Sequence, residues 1–170
     1  MADFYAKIAE CKYMFIVDSM HGKLARKLRI FGFDSLYYNY INDDELLNIL
    51  ASTNRILLTG DKELYKKAIR YNNRCILLNE GDENNLVKIG RILNIKFLFD
   101  PSYSRCPLCN NILIKYEKSN VINKVPKKVY ELNDEFWYCK ACDKIYWRGS
   151  HIKRILELEM MVNEKILNYR

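Results

Sequence analysis

The chain has 170 residues, of which 49% are hydrophobic and 29% charged, and carries a formal net charge of +7. That length holds one hydrophobic core, or a core plus a small appendage. No apolar run is long enough to span a bilayer, and the first ten residues lack the apolar stretch and cleavage pattern of a secretory leader. The expectation is therefore a soluble, cytoplasmic protein with no membrane partner.

The charge is unevenly shared. Residues 1–100 hold 15 Lys/Arg against 13 Asp/Glu, whereas residues 101–170 hold 13 against 8. A basic excess favours polyanionic partners, although a solvated basic surface accounts for it equally well.

Residues 1–12 read as a short extension or an edge element, with Cys11 structural. Tyr13–Val17 is apolar throughout and reads as a strand buried on both faces. Asp18 follows where that strand leaves the sheet. Next comes a helical pattern with Leu24, Leu28 and Phe31 on one side, Lys23, Arg26, Lys27 and Arg29 elsewhere around it, and Gly32 as a stop. Asp34–Asn39 reads as a second strand. In YINDDELLNILASTN, Asn42 takes the N-cap position, Glu45 falls at N3, and Ile41 can pack on Leu46. Arg55–Thr59 is a third strand ended by Gly60-Asp61, and Lys62–Tyr71 a helix. Cys75–Leu78 is a fourth strand, with Cys75 a core residue. Asp82, as N-cap, opens a helix running to about Ile95. Strand and helix thus alternate four times, the pattern of a parallel, right-handed βαβ sheet.

After Pro101 the texture changes. SRCPLCNNILIKY and FWYCKACDKIYWRGS read as short β pieces around two Cys-x-x-Cys knuckles, joined by VINKVPKKVYELNDE, which has no clear helical period. Ser150 can cap a final helix reaching about Leu167, with Ile152, Ile155, Leu156, Val162 and Ile166 available for packing. The expected organisation is an α/β domain over 1–100, a small β-rich ribbon over 101–149 and a C-terminal helix over 150–170.

Two constellations carry chemistry. Asp18 and Asp61 each directly follow a buried strand, and Asp43 and Asp44 open the second helix, so all four are expected at the carboxyl edge of the sheet. Ligands bind at that edge in open α/β sheets. Converging carboxylates suit Mg²⁺ or Mn²⁺, and two such ions can activate water and stabilise the leaving oxygen in phosphodiester hydrolysis. Each acid also has a structural reading. Asp43 and Asp44 suit a helix N-terminus, and Asp61 can cap the helix after it. Asp18 is harder to explain that way, because Ser19 would cap the next helix as well. Lys23, Arg26 and Lys27 could hold phosphates near Asp18, or simply form a solvated helix face.

Cys106-Pro-Leu-Cys109 and Cys139-Lys-Ala-Cys142 supply four thiolates for a closed tetrahedral Zn²⁺ site, whose role is structural because no coordination position stays open. Phe136, Trp137, Tyr138, Tyr146 and Trp147 surround the second knuckle and read mainly as the ribbon's own core. Arg148 and His151 are the better candidates for RNA contact.

With these residues in view, the chain resembles the PIN-like ribonuclease domain with a C-terminal zinc ribbon, the Mut-seven C-terminal RNase family. The resemblance runs from about Met14 to His151. It rests on VDSMHGKLARKLRIFGFD, DDELL, RILLTGDKEL, RCPLCN, DEFWYCKAC and IYWRGSH, in that order. It implies a PIN-like (Rossmann-like) parallel sheet, metal-dependent RNA cleavage, and acids at Asp18, Asp43 and Asp61, with Asp44 the less secure member of its pair. A second expectation stays open: an RNA-binding protein without catalysis, docked on the ribosome or another ribonucleoprotein. The RNA target, the mode of cleavage and the oligomeric state are not set by the sequence.

Overall fold

The computed structural model describes residues 13–168. The reading of residues 1–12, Cys11 included, lies outside them. Four parallel strands form the main sheet: β1 (Met14–Val17), β2 (Asp34–Tyr37), β3 (Arg55–Thr59) and β4 (Cys75–Leu77), in the order β2-β1-β3-β4. The connecting helices are α1 (Gly22–Ile30), α2 (Asp43–Ala51), α3 (Lys62–Arg70) and α4 (Asp82–Leu93). Side chains alternate along the strands as the two-residue period requires. Phe15, Val17, Ile56 and Leu58 face a layer containing α1 and α4, whereas Ile16 and Leu57 face α2 and α3. Helices therefore cover both faces, which is why β1 and β3 read as unbroken apolar runs.

The strand order decides where a ligand can sit. From β1 the chain moves outward to β2, then crosses back to β3 on the other side of β1. The winding direction reverses between β1 and β3, and a crevice opens at the carboxyl ends of strands at such a switch point. The chain after β1 and after β3 begins with Asp18 and Gly60-Asp61.

Beyond Pro101, β5 (Ile114–Tyr116), β6 (Phe136–Cys139) and β7 (Lys144–Trp147) form a second, antiparallel sheet in that order. The segment between β5 and β6 departs from its aperiodic reading. It holds a 3₁₀ turn at Lys118–Val121 and a helix, α5 (Lys127–Leu132). Six residues make fewer than two turns, too few to write a 3.6-residue period into a sequence.

The last helix, α6 (His151–Leu167), returns to pack on α4. Ile166 occupies the space a side chain at Gly90 would need, and the Asn163 amide bonds both the N–H and the C=O of Phe97, at 3.0 and 2.7 Å. Val162, Ile155 and Ile166 join the main core as expected, but Leu156 stays exposed. Ser150 stands at the N-cap position without making a capping side-chain bond.

A polar weld joins the two parts. Arg29, only 4% exposed, donates through Nε to Ser35 O (2.9 Å) and through Nη1 to Pro107 O (2.9 Å) and Leu108 O (3.0 Å) in the first knuckle. Asn110 bonds the first two residues of β2, accepting from Ser35 N–H and donating to the Asp34 carboxylate. Asp34 is level with Met14 and Arg55, the first residues of β1 and β3. The ribbon is thus fixed to the amino ends of the strands, at the rim opposite Asp18.

Candidate active site and metal centre

Asp18 leaves β1 with its backbone still in the ladder, its N–H donating to Leu58 O at 3.0 Å. A 3₁₀ turn, Ser19–His21, separates it from α1. Neither Ser19 nor Asp18 caps a helix through its side chain. The Ser19 hydroxyl instead donates to Asp18 Oδ1 (3.2 Å). Thr59, the last residue of β3, donates to Asp18 Oδ2 at 2.8 Å and accepts from the N–H of Asp61 at 3.0 Å. One buried hydroxyl therefore ties together the two acids that follow neighbouring strands. The carboxylate of Asp18 is nearly buried, at 8% exposure, and both its oxygens are held.

Asp61 does what its structural reading expected. Its Oδ1 accepts from Glu63 N–H (2.7 Å) and Leu64 N–H (3.1 Å), capping α3. Gly60 lies beneath His21, where a Cβ would come within 2.8 Å of His21 Nε2. The imidazole accordingly stands over Gly60 at the exit of β3.

The start of α2 is capped by Asn42, which accepts from Glu45 N–H at 2.8 Å. Asp43 and Asp44 then differ. Asp43 pairs with Lys67 Nζ of α3 at 3.1 Å, while Asp44 is exposed. The hydrogen bond to Asp43 and its charge raise the Lys67 pKa, and the charges of Asp44 and Asp61 push it the same way. One ammonium thus senses three of the four candidate acids.

Among the basic candidates on α1, Lys23 and Arg26 are exposed, whereas Lys27 pairs with Asp82 at 3.2 Å. Asp82 is the first residue of α4 and not its N-cap, which is Gly81. Arg148 and His151 are exposed at the end of β7 and the start of α6, on the ribbon side. Arg148 pairs with Glu135 at 3.3 Å and lies over the Trp137 ring.

The four knuckle cysteines converge. Their sulfurs all lie within 4.8 Å of one another, with Cys109–Cys139 at 3.4 Å and Cys106–Cys142 at 3.9 Å. Tetrahedral Zn–S bonds of 2.3 Å place sulfurs roughly 3.8 Å apart, so the spacing fits a zinc ribbon. Four thiols this close cannot all ionise without a cation. Hydrogen bonding to Cys109, burial and the charge of Cys106 push Cys142 up to about 12. Burial acts on Cys109 in the same sense, but the N–H of Asn111 and bonds from its neighbours outweigh it and bring that thiol down to about 6. Trp137 and Leu113 pack on the buried Cys106 and Cys139, so the ribbon's core is built directly on its ligands. Among the described residues this is the one group of three or more His, Cys or carboxylate ligands placed to hold a metal ion. The acids share a rim without closing into such a group.

Thr59, Lys67 and Arg29 were not singled out from the sequence. A threonine ending an apolar strand two residues before an acid, as in Leu-Thr-Gly-Asp, is a usable signal for the first. For Lys67 no signal exists, because its partner lies 24 residues away on another helix. Arg29 reads as one more helix-surface cation until the knuckle is folded against it.

An α/β sheet with acids at its switch point thus carries, at the opposite rim, a four-cysteine ribbon positioned to bind a metal ion. The chain belongs to the Mut7-C RNase domain family, which it matches over residues 13–158. No curated protein and no solved structure matches it. Among the described residues no helix is long and apolar enough to cross a membrane.

Proposed function

We propose that the protein is a divalent-metal-dependent ribonuclease, with Asp18, Asp43 and Asp61 holding the catalytic ion and Asp44 in support. The observation that carries this reading is the Asp18–Thr59–Asp61 linkage at the β1/β3 switch point. The donors there are carboxylate and hydroxyl oxygens, a set that fits Mg²⁺ or Mn²⁺ and not a soft metal. Such an ion, when bound, activates water and offsets charge on the leaving oxygen. The protein's own part is orientation: Thr59 and Ser19 fix the rotamer of Asp18 through bonds to its two oxygens. His21 stands over Gly60 at the same rim. Zn²⁺ in the cysteine site would be structural and keep the ribbon folded. Four reduced thiols at that site favour a cytoplasmic location.

The test is cleavage of single-stranded RNA by wild type and Asp18→Asn with added Mn²⁺. Activity should be lost in a variant that keeps its circular dichroism spectrum. Equal cleavage by both proteins, after removal of contaminating nuclease, would sink the reading.

A second reading is RNA binding without cleavage, on a ribosome or other ribonucleoprotein. The Lys67–Asp43 ion pair favours it, because a cation already neutralises the rim. It predicts salt-sensitive RNA binding that Asp18→Asn leaves unchanged.

A further inference from the structure

A groove of about 1160 Å³ runs between the amino rim of the main sheet, α5, the β6–β7 ribbon and the first turns of α6. Small-molecule sites occupy about 300–1,000 Å³, so this one has room for more than a single small ligand. Leu113, Leu132, Trp137, Tyr146 and Trp147 give it an apolar, aromatic lining. Its charged lining residues are all basic: Arg105, Lys128, Lys144 and Arg148, with His151 beside them and no Asp or Glu. Arg105 pairs with Asp34 and Arg148 with Glu135, but among the described residues no ion pair forms at Lys128 or Lys144.

An aromatic lining edged by two unpaired lysines, with no acidic residue in the lining itself, matches a polymer of flat rings and phosphates. Stacking on aromatic side chains is worth about 1–3 kcal/mol per base and tolerates any sequence, while cations track the backbone. The apolar face of a protein helix would satisfy the lining and leave Lys128 and Lys144 unaccounted for. A duplex keeps its base faces inside the stack, out of reach of Trp147.

We propose that this groove is a second nucleic-acid site, binding a single-stranded RNA segment with a base stacked on Trp147 and phosphates at Lys128, Lys144 and Arg148. The proposal rests on RNA being the ligand class and adds where a remote segment is held. Ile30 ends α1 and Arg105 pairs with the first residue of β2, so the groove sits at the amino rim while Asp18 and Asp61 sit at the carboxyl rim. The four residues of β1 alone separate the rims by about 13 Å, at 3.3 Å per residue. A short oligonucleotide can engage one site, and only a longer one can engage both.

The chain's two tryptophans, Trp137 and Trp147, both line this groove, so tryptophan fluorescence excited at about 295 nm reports on it as long as the zinc site stays loaded. The experiment is titration of the full, zinc-loaded protein with oligouridylates of about four and about sixteen nucleotides, without added Mg²⁺ or Mn²⁺. Saturable quenching that weakens with salt is expected. The double variant Lys128→Gln, Lys144→Gln should bind about tenfold more weakly, and its log–log salt slope should be shallower by about 1.4, at about 0.7 per single-strand phosphate contact. Both lysines are exposed, so the fold should be unaffected. Cleavage in Mn²⁺ should then show a raised KM for the long RNA with kcat unchanged.

No quenching by either RNA, or quenching indifferent to salt and to both lysines, overturns the proposal and leaves a protein partner as the groove's occupant. Quenching by a protein that cleaves nothing supports the groove and sinks the nuclease reading. Cleavage without quenching does the reverse.

Discussion

Thr59 gives its hydroxyl hydrogen to Asp18 across the carboxyl ends of two neighbouring parallel strands, at 2.8 Å. The same oxygen accepts the Asp61 N–H. Removing it in Thr59→Val keeps the shape but leaves a buried carboxylate oxygen and a backbone donor without their partner. Expected are a loss of about 1–3 kcal/mol in stability and a fall of about 10- to 100-fold in Mn²⁺-dependent cleavage, the range for losing a group that orients a metal ligand. Thr59→Ser, which keeps the hydroxyl, should restore most of both. Denaturant unfolding beside a cleavage assay checks this, and undiminished activity in the valine variant would remove Thr59 from the site.

The zinc site makes an independent prediction. One Zn²⁺ per chain should be measured by elemental analysis, and none after a strong chelator or in Cys106→Ser with Cys139→Ser. Trp137 packs on Cys106 and Cys139, so metal loss should red-shift tryptophan emission as the ribbon opens. The hydroxyl substitutions are needed as well as chelation, because a chelator also strips any ion at the acid rim. A stoichiometric metal with unchanged emission after its removal would show that the ribbon does not depend on it.

Much of this architecture was legible because short-range patterns write it. Arg55–Thr59 could be bounded to the residue because an apolar run ends at Gly-Asp, and Asn42 was placed as N-cap because its partner N–H lies only three residues on. The same-edge placement of Asp18 and Asp61 followed from strand polarity alone. What stayed hidden depends on distant pairing. Arg29 looks solvated in one dimension, and only the docking of Pro107 and Leu108 some 78 residues later makes it a buried clamp. The distinction between Asp43 and Asp44 was equally unreadable, since adjacent residues on a helix differ by about 100° and only α3 decides which one meets Lys67.

Asp34 supplies a pH prediction. Burial alone would raise its carboxyl, but hydrogen bonds from Arg55 and Asn110 and the charges of Arg55 and Arg105 outweigh that and hold it below the usual carboxylate value. A depressed native pKa means the unfolded chain takes the proton first as pH falls. The stabilisation is therefore complete above about pH 4 and lost progressively below it, through the native value. Wild type should show a steeper acid loss of stability than Asp34→Asn, which has nothing to titrate there. Comparing the two proteins cancels protonation of the cysteines, which acts on both. Parallel stability curves between about pH 2.5 and 6 would mean that the Asp34 pairs do not help hold the ribbon to the sheet.

Lys67 tests whether the rim's acids act as a unit. Its ammonium contacts Asp43 and senses the charges of Asp44 and Asp61, so it occupies the electrostatic place of a metal ion without being one. Lys67→Gln removes that charge and should let a divalent cation bind more tightly. Because the pair is exposed and screened, the change is modest, a fall of about threefold in the Mn²⁺ concentration giving half-maximal cleavage. If Lys67 instead holds a substrate phosphate, the same variant leaves the Mn²⁺ midpoint unchanged and raises KM for RNA. Titrating Mn²⁺ at saturating RNA, then RNA at saturating Mn²⁺, separates these effects. Asp44→Asn serves as the comparison. Its carboxylate is more exposed and not paired with Lys67, so it should weaken Mn²⁺ binding less than Asp43→Asn does, and equal effects would deny Asp43 its separate standing.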